Sequence, residues 1–161
     1  MKVEVFFDYN CPYCYKGHKQ LKEFSAQNPG LEIIWVPCEI SIYKNPSQPT
    51  HGDISLQGMF FVQESGGDLW AYHDRVYDLV FEKSRYGRDA AAFAEAMGVD
   101  GLRQALESGK YLDKLAENNH YAFKESKVHV VPTYRRDGGF LQDRQEFYGM
   151  GDSDTAYGGK S

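Results

Sequence analysis

The chain is short of the features that mark a stapled extracellular domain or a membrane protein. Its 161 residues include three cysteines, an odd and small number that supplies no disulfide framework. No run approaches the roughly 20 apolar residues of a membrane-spanning helix. Charge of one sign is also scarce. The 18 basic and 23 acidic residues leave a formal charge of -5, in no long blocks, which argues against nucleic acid or an anionic membrane as the main partner. Four thiolate or imidazole ligands at zinc-finger spacing are absent, so no metal is expected. A signal peptide is not visible either. Met1-Lys2 leads directly into Val3-Glu4-Val5-Phe6-Phe7, too short for a signal core and without a small-residue cleavage site. The expected location is therefore the cytosol, unless a leader has already been removed.

What is present is packing material. Apolar residues make up 42% of the chain and aromatics 15%. A chain of this length buries most of its apolar surface without staples, in one globular unit. Val3 to Asp8 has strand composition, and Cys14 to Gln27 reads as a helix that Asn28-Pro29-Gly30 stops. Leu31 to Val36 is a second strand, which a right-handed crossover would make parallel to the first. Residues 38–55, with Pro46, Pro49 and Gly52, read as a loop. Helical spacing then dominates to Ser126. Leu69, Tyr72, Val76, Leu79 and Val80 line one stretch, Asp89 to Ala94 starts another, and Asp100 is placed to cap the next. The last helix runs from Lys110 to about Lys124. Val128 to Val131 has strand character and Thr133 to Arg136 continues it past Pro132. Asp137-Gly138-Gly139 signals a hairpin turn, with Phe140-Leu141-Gln142 returning. Gly149 to Ser161 reads as a Gly-rich tail.

The chemistry concentrates at Cys11-Pro12-Tyr13-Cys14. Cys11 follows a strand and stands at the start of a helix. Free first-turn N–H groups and the positive end of the helix dipole favour a thiolate there, and the thiolate is the nucleophile. Pro12 suits a first helical turn. Cys14 lies within reach of Cys11 for a small disulfide ring, so that one cysteine attacks and the other resolves the mixed disulfide. The bland alternative is half a metal site, for which a second ligand pair is lacking. Pro132, inside a strand-like run, reads blandly as an edge or bulge proline and functionally as a cis-proline facing the dithiol. Cys38 is expected to be a buried apolar filler. His18, one helical turn beyond Cys14, is expected to be solvated, with tuning of the dithiol as the other reading. His129 is open between core and site. His51, His73 and His120 show no ligand spacing. Phe60, Phe61, Trp70, Tyr72 and Tyr77 are expected in the core, where they could also line a groove above the dithiol.

The run Asp8-Tyr9-Asn10-Cys11-Pro12-Tyr13-Cys14-Tyr15-Lys16-Gly17 resembles the active-site segment of the DsbA-like thiol-disulfide oxidoreductases, closest to the FrnE-type branch with its D-x-x-C-P-x-C-Y-x-G pattern. Phe93 to Val99 with Ser108 to Tyr111 resembles that family's helical insertion, and Val128 to Tyr134 its cis-proline segment. The resemblance spans about residues 3–143. It implies an α/β, thioredoxin-like fold with an inserted all-helical domain. The thioredoxin-like part would be residues 1–55 and 127–148, the insertion 56–126 and the tail 149–161. It also implies that Cys11 attacks, Cys14 resolves and Pro132 is the cis-proline. The Val131 backbone would pair with a bound peptide, and Pro12 and Tyr13 would lie at the substrate-binding surface.

Three departures stand out. Where many relatives hold an acidic residue on the first strand, this chain has Val5, and Glu4, one step away, should point to the other face. The C-terminal segment is poor in the residues of a covering helix, and no secretion leader is seen. The implied function is disulfide exchange with protein or peptide thiols and disulfides, together with a redox partner and no cofactor. A glutathione-using transferase, isomerase or glutaredoxin-like enzyme, with glutathione as co-substrate, is the first alternative. Related isomerases usually lack the second cysteine, and the separation of Cys11 from Pro132 exceeds a glutaredoxin's span. A non-catalytic binding module with an idle dithiol is the second alternative.

Overall fold

The computed structural model describes residues 1–83, 89–136 and 139–140. An apolar run forms the first strand, β1 (Lys2–Phe7), in which Val3, Val5, Phe6 and Phe7 are buried. The chain turns over Asp8 to Asn10 and enters helix α1 (Pro12–Gln27), with Pro12 in the first turn, where its missing N–H leaves no bond unmade. Cys14, Gly17, His18 and Leu21 form its buried stripe, at spacings of three and four residues. Asn28 ends it, its side-chain amide donating to the Phe24 carbonyl. β2 (Glu32–Pro37) then lies parallel to β1, Lys2 opposite Glu32 and Phe7 opposite Pro37.

Residues 38–55 are not all loop. A short helix, α2 (Ile40–Lys44), starts where the Ile40 N–H donates to the Asp8 carboxylate at 3.0 Å. That acceptor comes from far away in sequence, so no local signal announces the helix. Next come α3 (Ile54–Glu64), capped by Asp53, and α4 (Leu69–Tyr77), capped by Asp68 and running into a π-helical turn at Asp78–Glu82. α5 (Ala90–Met97) is capped by Asp89 and closed by Gly98 at φ 66°. Asp100 does not cap α6 (Leu102–Glu107); Gly101, at φ 83°, takes the N-cap position without a side-chain bond. α7 (Leu112–His120) continues into a second π-helical turn, Tyr121–Glu125.

Residues 128–131 are not a strand. The Val128 N–H bonds back to the Ala122 carbonyl, closing the π-helical turn, and Pro132 has no N–H to offer a ladder. Pairing starts at Thr133. β3 (Thr133–Arg136) runs antiparallel along the second edge of β1, Phe6 opposite Thr133 and Val3 opposite Arg136, and β4 (Gly139–Phe140) pairs with it. The sheet order is β2-β1-β3-β4. Of the expected hairpin, residues 137, 138, 141 and 142 lie outside the described residues, as does the Gly149–Ser161 tail.

Alternation along β1 sends its side chains to two different faces. Phe7 meets Trp35 and His73 edge-on, with ring centroids 5.7 and 5.6 Å away. Phe6 points the other way and stacks on Tyr121 at 5.9 Å. Glu4 shares that second face, bonded to Tyr121 and, at 2.6 Å, to Arg135. Burial opposes the Glu4 charge, but the bonds from Arg135 and Tyr121 outweigh it and hold its pKa below the ordinary carboxylate value.

Gly58 lies inside α3 against the Tyr72 ring. A Cβ there would collide with the Tyr72 hydroxyl and come within 3.2 Å of its Cζ, while that hydroxyl is held by the Ser55 carbonyl at 2.6 Å. Alanine gains about 1 kcal/mol in helix propensity, and overpacking costs about 1–3 kcal/mol. Gly58→Ala should therefore lower the urea midpoint, by up to about 2 kcal/mol in stability. A variant more stable than the parent would show that Tyr72 yields freely.

Candidate active site

Cys11 is the N-cap residue of α1, in extended conformation at φ -98° and ψ 121°. Its carbonyl accepts the N–H groups of Cys14 and Tyr15 at 3.0 and 3.1 Å, and its own N–H donates to the Asp8 carbonyl at 3.1 Å. The half-buried Cys11 thiol faces the Val131 carbonyl, Sγ to O being 3.7 Å. The segment before Pro132 therefore lies against the dithiol, and the Val131-Pro132 peptide bond is cis. Cys14, 2% exposed, sits within the first turn and accepts the Asp8 N–H on its sulfur at 3.5 Å. Both thiols are free.

One helix turn gives the two thiols opposite chemistry. The Cys11 pKa falls to about 7. The hydrogen bond from the Cys14 thiol is the largest cause; burial works against it, and the N–H groups of Cys14 and Tyr13 and the Lys44 charge add to it. Cys14 moves the other way, held well above the usual thiol value by burial and then by its bond to Cys11. Pro12 and Tyr13 are turned to solvent beside Cys11, with Tyr13 48% exposed. The Val131 side chain is buried and its neighbour Val130 is exposed.

Of the other residues singled out, the histidines depart from the sequence reading, whereas Cys38 and the aromatic set lie where it placed them. His18 is buried rather than solvated: α4 covers its side of α1, and its Nε2 lies 2.7 Å from Asp74 Oδ1. Burial lowers its pKa despite that partner. His18, His73, Tyr77 and Pro132 share with Cys14 the wall of a small cavity behind the dithiol. His73 has no spacing signal, because α4 arrives from the helical segment and only tertiary packing brings it there. His129 is exposed. Cys38 is fully buried, its thiol facing the Phe7 carbonyl at 3.7 Å, and burial pushes its pKa well up. Phe60, Tyr72 and Tyr77 are in the core, with Phe61 and Trp70 packed on it.

Asp8 is an acidic group beside the dithiol, its main-chain N–H directed at the Cys14 sulfur. Its carboxylate is buried and accepts the Asn10 N–H at 3.0 Å, the Asn10 amide at 3.1 Å and the Ile40 N–H. Burial, then the charge of Asp53, nevertheless raises its pKa from 3.8 to about 7. Its place in the motif was legible from sequence; its burial was not.

A sheet carrying a dithiol at the N-terminus of the crossover helix, with a proline opposite, defines a thioredoxin-like protein. A family model for the DSBA-like thioredoxin domain matches residues 2–152, and the chain belongs to that family. The fold is shared with the solved structure of a probable DsbA oxidoreductase from Streptomyces coelicolor, at TM-score 0.71 and 17% identity over 92% of this chain and 87% of that one. DsbA of Pseudomonas aeruginosa matches at TM-score 0.62 and 18% identity, covering 86% of this chain and 70% of that one. A 2-hydroxychromene-2-carboxylate isomerase matches at TM-score 0.70 and 18% identity, over 88% of each chain. No curated protein sequence matches significantly. No helix among the described residues is long and apolar enough to cross a membrane.

Limited alkylation of the reduced protein should label Cys11 ahead of Cys14 and Cys38, with a rate that rises to half its plateau near pH 7. Preferential label on either buried cysteine would contradict the assignment. For Asp8 the linkage sign is set by a folded pKa above the unfolded one. Between 3.8 and about 7 the native state holds a proton that the unfolded chain has released. The Asp8 contribution to stability therefore falls as pH rises through that window and is level above it. Asp8→Asn should flatten that part of the stability–pH curve, as read by urea melts; an unchanged slope would show that another group sets it.

Proposed function

We propose that this chain is a thiol-disulfide oxidoreductase acting on protein or peptide disulfides through Cys11 and Cys14. The observation that carries the reading is the split between the two thiols: one half-exposed at a helix N-terminus and pushed down to about 7, the other buried and pushed up. The Cys11 thiolate attacks a substrate disulfide, forms a mixed disulfide and expels one substrate thiolate. Cys14 then attacks the Cys11 sulfur, closing the internal disulfide and releasing the second substrate thiol. Two electrons pass to the substrate, and a separate redox partner resets the dithiol. The same steps run in reverse oxidise a substrate dithiol.

An extended peptide suits the surroundings of Cys11. Exposed Tyr13 and Val130 offer apolar contact at its rim, and the Val131 backbone runs beside the sulfur. Pro132 shares the cavity wall with Cys14 and helps close the site from behind. A glutathione-dependent reaction is the second reading, favoured by the fold shared with the isomerase. The presence of Cys14 speaks for the first, because a one-cysteine or cysteine-free mechanism has no use for a resolving thiol.

The two readings separate when turnover of insulin disulfides is compared with turnover of a glutathione mixed disulfide. Faster insulin turnover is expected, with Cys14→Ser trapping mixed disulfides and Cys11→Ser inactive and trapping none. Turnover confined to the glutathione substrate would establish the second reading. Equal trapping by both variants would overturn the division of roles.

A further inference from the structure

The cavity behind the dithiol is about large enough for one water. Cys14 forms part of its wall, and so does His73 of α4. His73 is 1% exposed. Its Nδ1 lies 2.7 Å from the Tyr9 hydroxyl, whereas its Nε2, wholly buried, has no hydrogen-bond partner among the described residues. Buried polar atoms are rarely left so, and ordered water usually supplies the missing partner.

The tautomer follows from Tyr9. Burial holds that phenol well above its ordinary pKa, so it keeps its proton, and among the described residues His73 Nδ1 is the one hydrogen-bond partner of the hydroxyl; donation to Nδ1 is the arrangement that leaves the buried phenol proton paired. Burial, reinforced by the neighbouring His18, keeps the His73 ring neutral. A neutral ring that accepts at Nδ1 carries its own proton on Nε2. His73 therefore carries its unpartnered N–H donor on Nε2, and His73 and Cys14 both line the cavity.

We propose that one internal water bridges the His73 Nε2–H and Cys14 Sγ, making His73 a positioning residue for the resolving step. The proposal rests on the dithiol function set out above. In that step the Cys14 S–H bond breaks and the Cys14 sulfur bonds to the Cys11 sulfur. The disulfide between Cys11 and the substrate breaks, and its electron pair leaves with the substrate thiolate, which takes up the proton by way of solvent. Negative charge thus develops on Cys14, where burial opposes it. A water held by Nε2–H donates a hydrogen to that sulfur and favours the thiolate over the thiol. The other titratable groups about the cavity and Cys14 are His18 with its partner Asp74, Tyr77, Tyr134, Asp8 and Cys11.

A chromogenic aromatic disulfide followed by stopped flow resolves the two steps. Cys11 releases the first aromatic thiolate by forming a mixed disulfide, and Cys14 releases the second, its proton passing to the buffer. His73→Phe, which keeps a ring but has no donor, should leave the first release unchanged. It should slow the second by about tenfold or more at neutral pH, the worth of a hydrogen bond to a charged group, and move its pH profile to the alkaline side. His73→Gln keeps a donor near the place of Nε2 and cannot take up a proton; it should restore most of the rate. A second release at the parent rate in His73→Phe, or His73→Gln as slow as His73→Phe, would overturn the proposal. A parent protein that never gives a second release would remove the dithiol function itself, and the proposal with it. Should His73→Phe not fold, a crystal structure of the parent protein decides: a water within hydrogen-bond reach of both Nε2 and Sγ is expected, and a dry cavity refutes it.

Discussion

Asp8 stands where β1 gives way to α1, and its buried carboxylate ties that corner to the rest of the molecule. It accepts the Asn10 N–H that shapes the turn before Cys11 and the Ile40 N–H that starts α2, while its own N–H is directed at the Cys14 sulfur. Asn10 carries the tie onward to Asp53, the cap of α3, at 2.7 Å. A second buried carboxylate, Glu39, continues it, accepting from Thr50, His51, Asp53 and Asn119. A buried carboxylate is tolerated only when its oxygens are bonded, and here main-chain N–H groups do most of the bonding. The dithiol turn thus rests on polar bonds that join the sheet to α2, α3 and α7 rather than on apolar contact alone.

The same corner explains why two identical side chains behave differently. Cys11 occupies the cap position, where helix N–H groups converge and solvent is near. Cys14, three residues on, has rotated onto the inward stripe of α1 and is enclosed by β1, α4 and β3. The split needs a helix that begins at the first cysteine, the second thiol within hydrogen-bond reach of the first, and the elements that bury that second thiol. The helices between β2 and β3 supply the lid: the α4 groups His73, Asp74 and Tyr77 meet α1 at His18 and around Cys14.

Much of this was legible from the chain itself, for local reasons. A strand, a breaker and Cys-Pro-x-Cys at a helix start are short-range signals, and each rests on backbone chemistry that acts within a few residues. The alternation of β1 likewise placed Glu4 on the far face, where it meets Arg135 and Tyr121. The misread elements were those whose hydrogen-bond partners lie far away. α2 begins on a bond from Asp8, and residues 128–131 are drawn out of strand geometry by the Val128 bond to Ala122.

The sequence by itself determined the opening strand–helix–strand order, the position of both thiols on α1 and the family to which the chain belongs. These depend on turn chemistry, hydrophobic period and motif, all of which are written locally. Only the tertiary structure decided which titratable side chains lose their water. His18, His73 and Asp8 look alike in sequence as ordinary polar residues; packing of α4 on α1, and of α2 on the end of β1, buries all three beside the dithiol. Burial, and with it the protonation state of a group, is set by what arrives from elsewhere in the chain, and no local pattern records that.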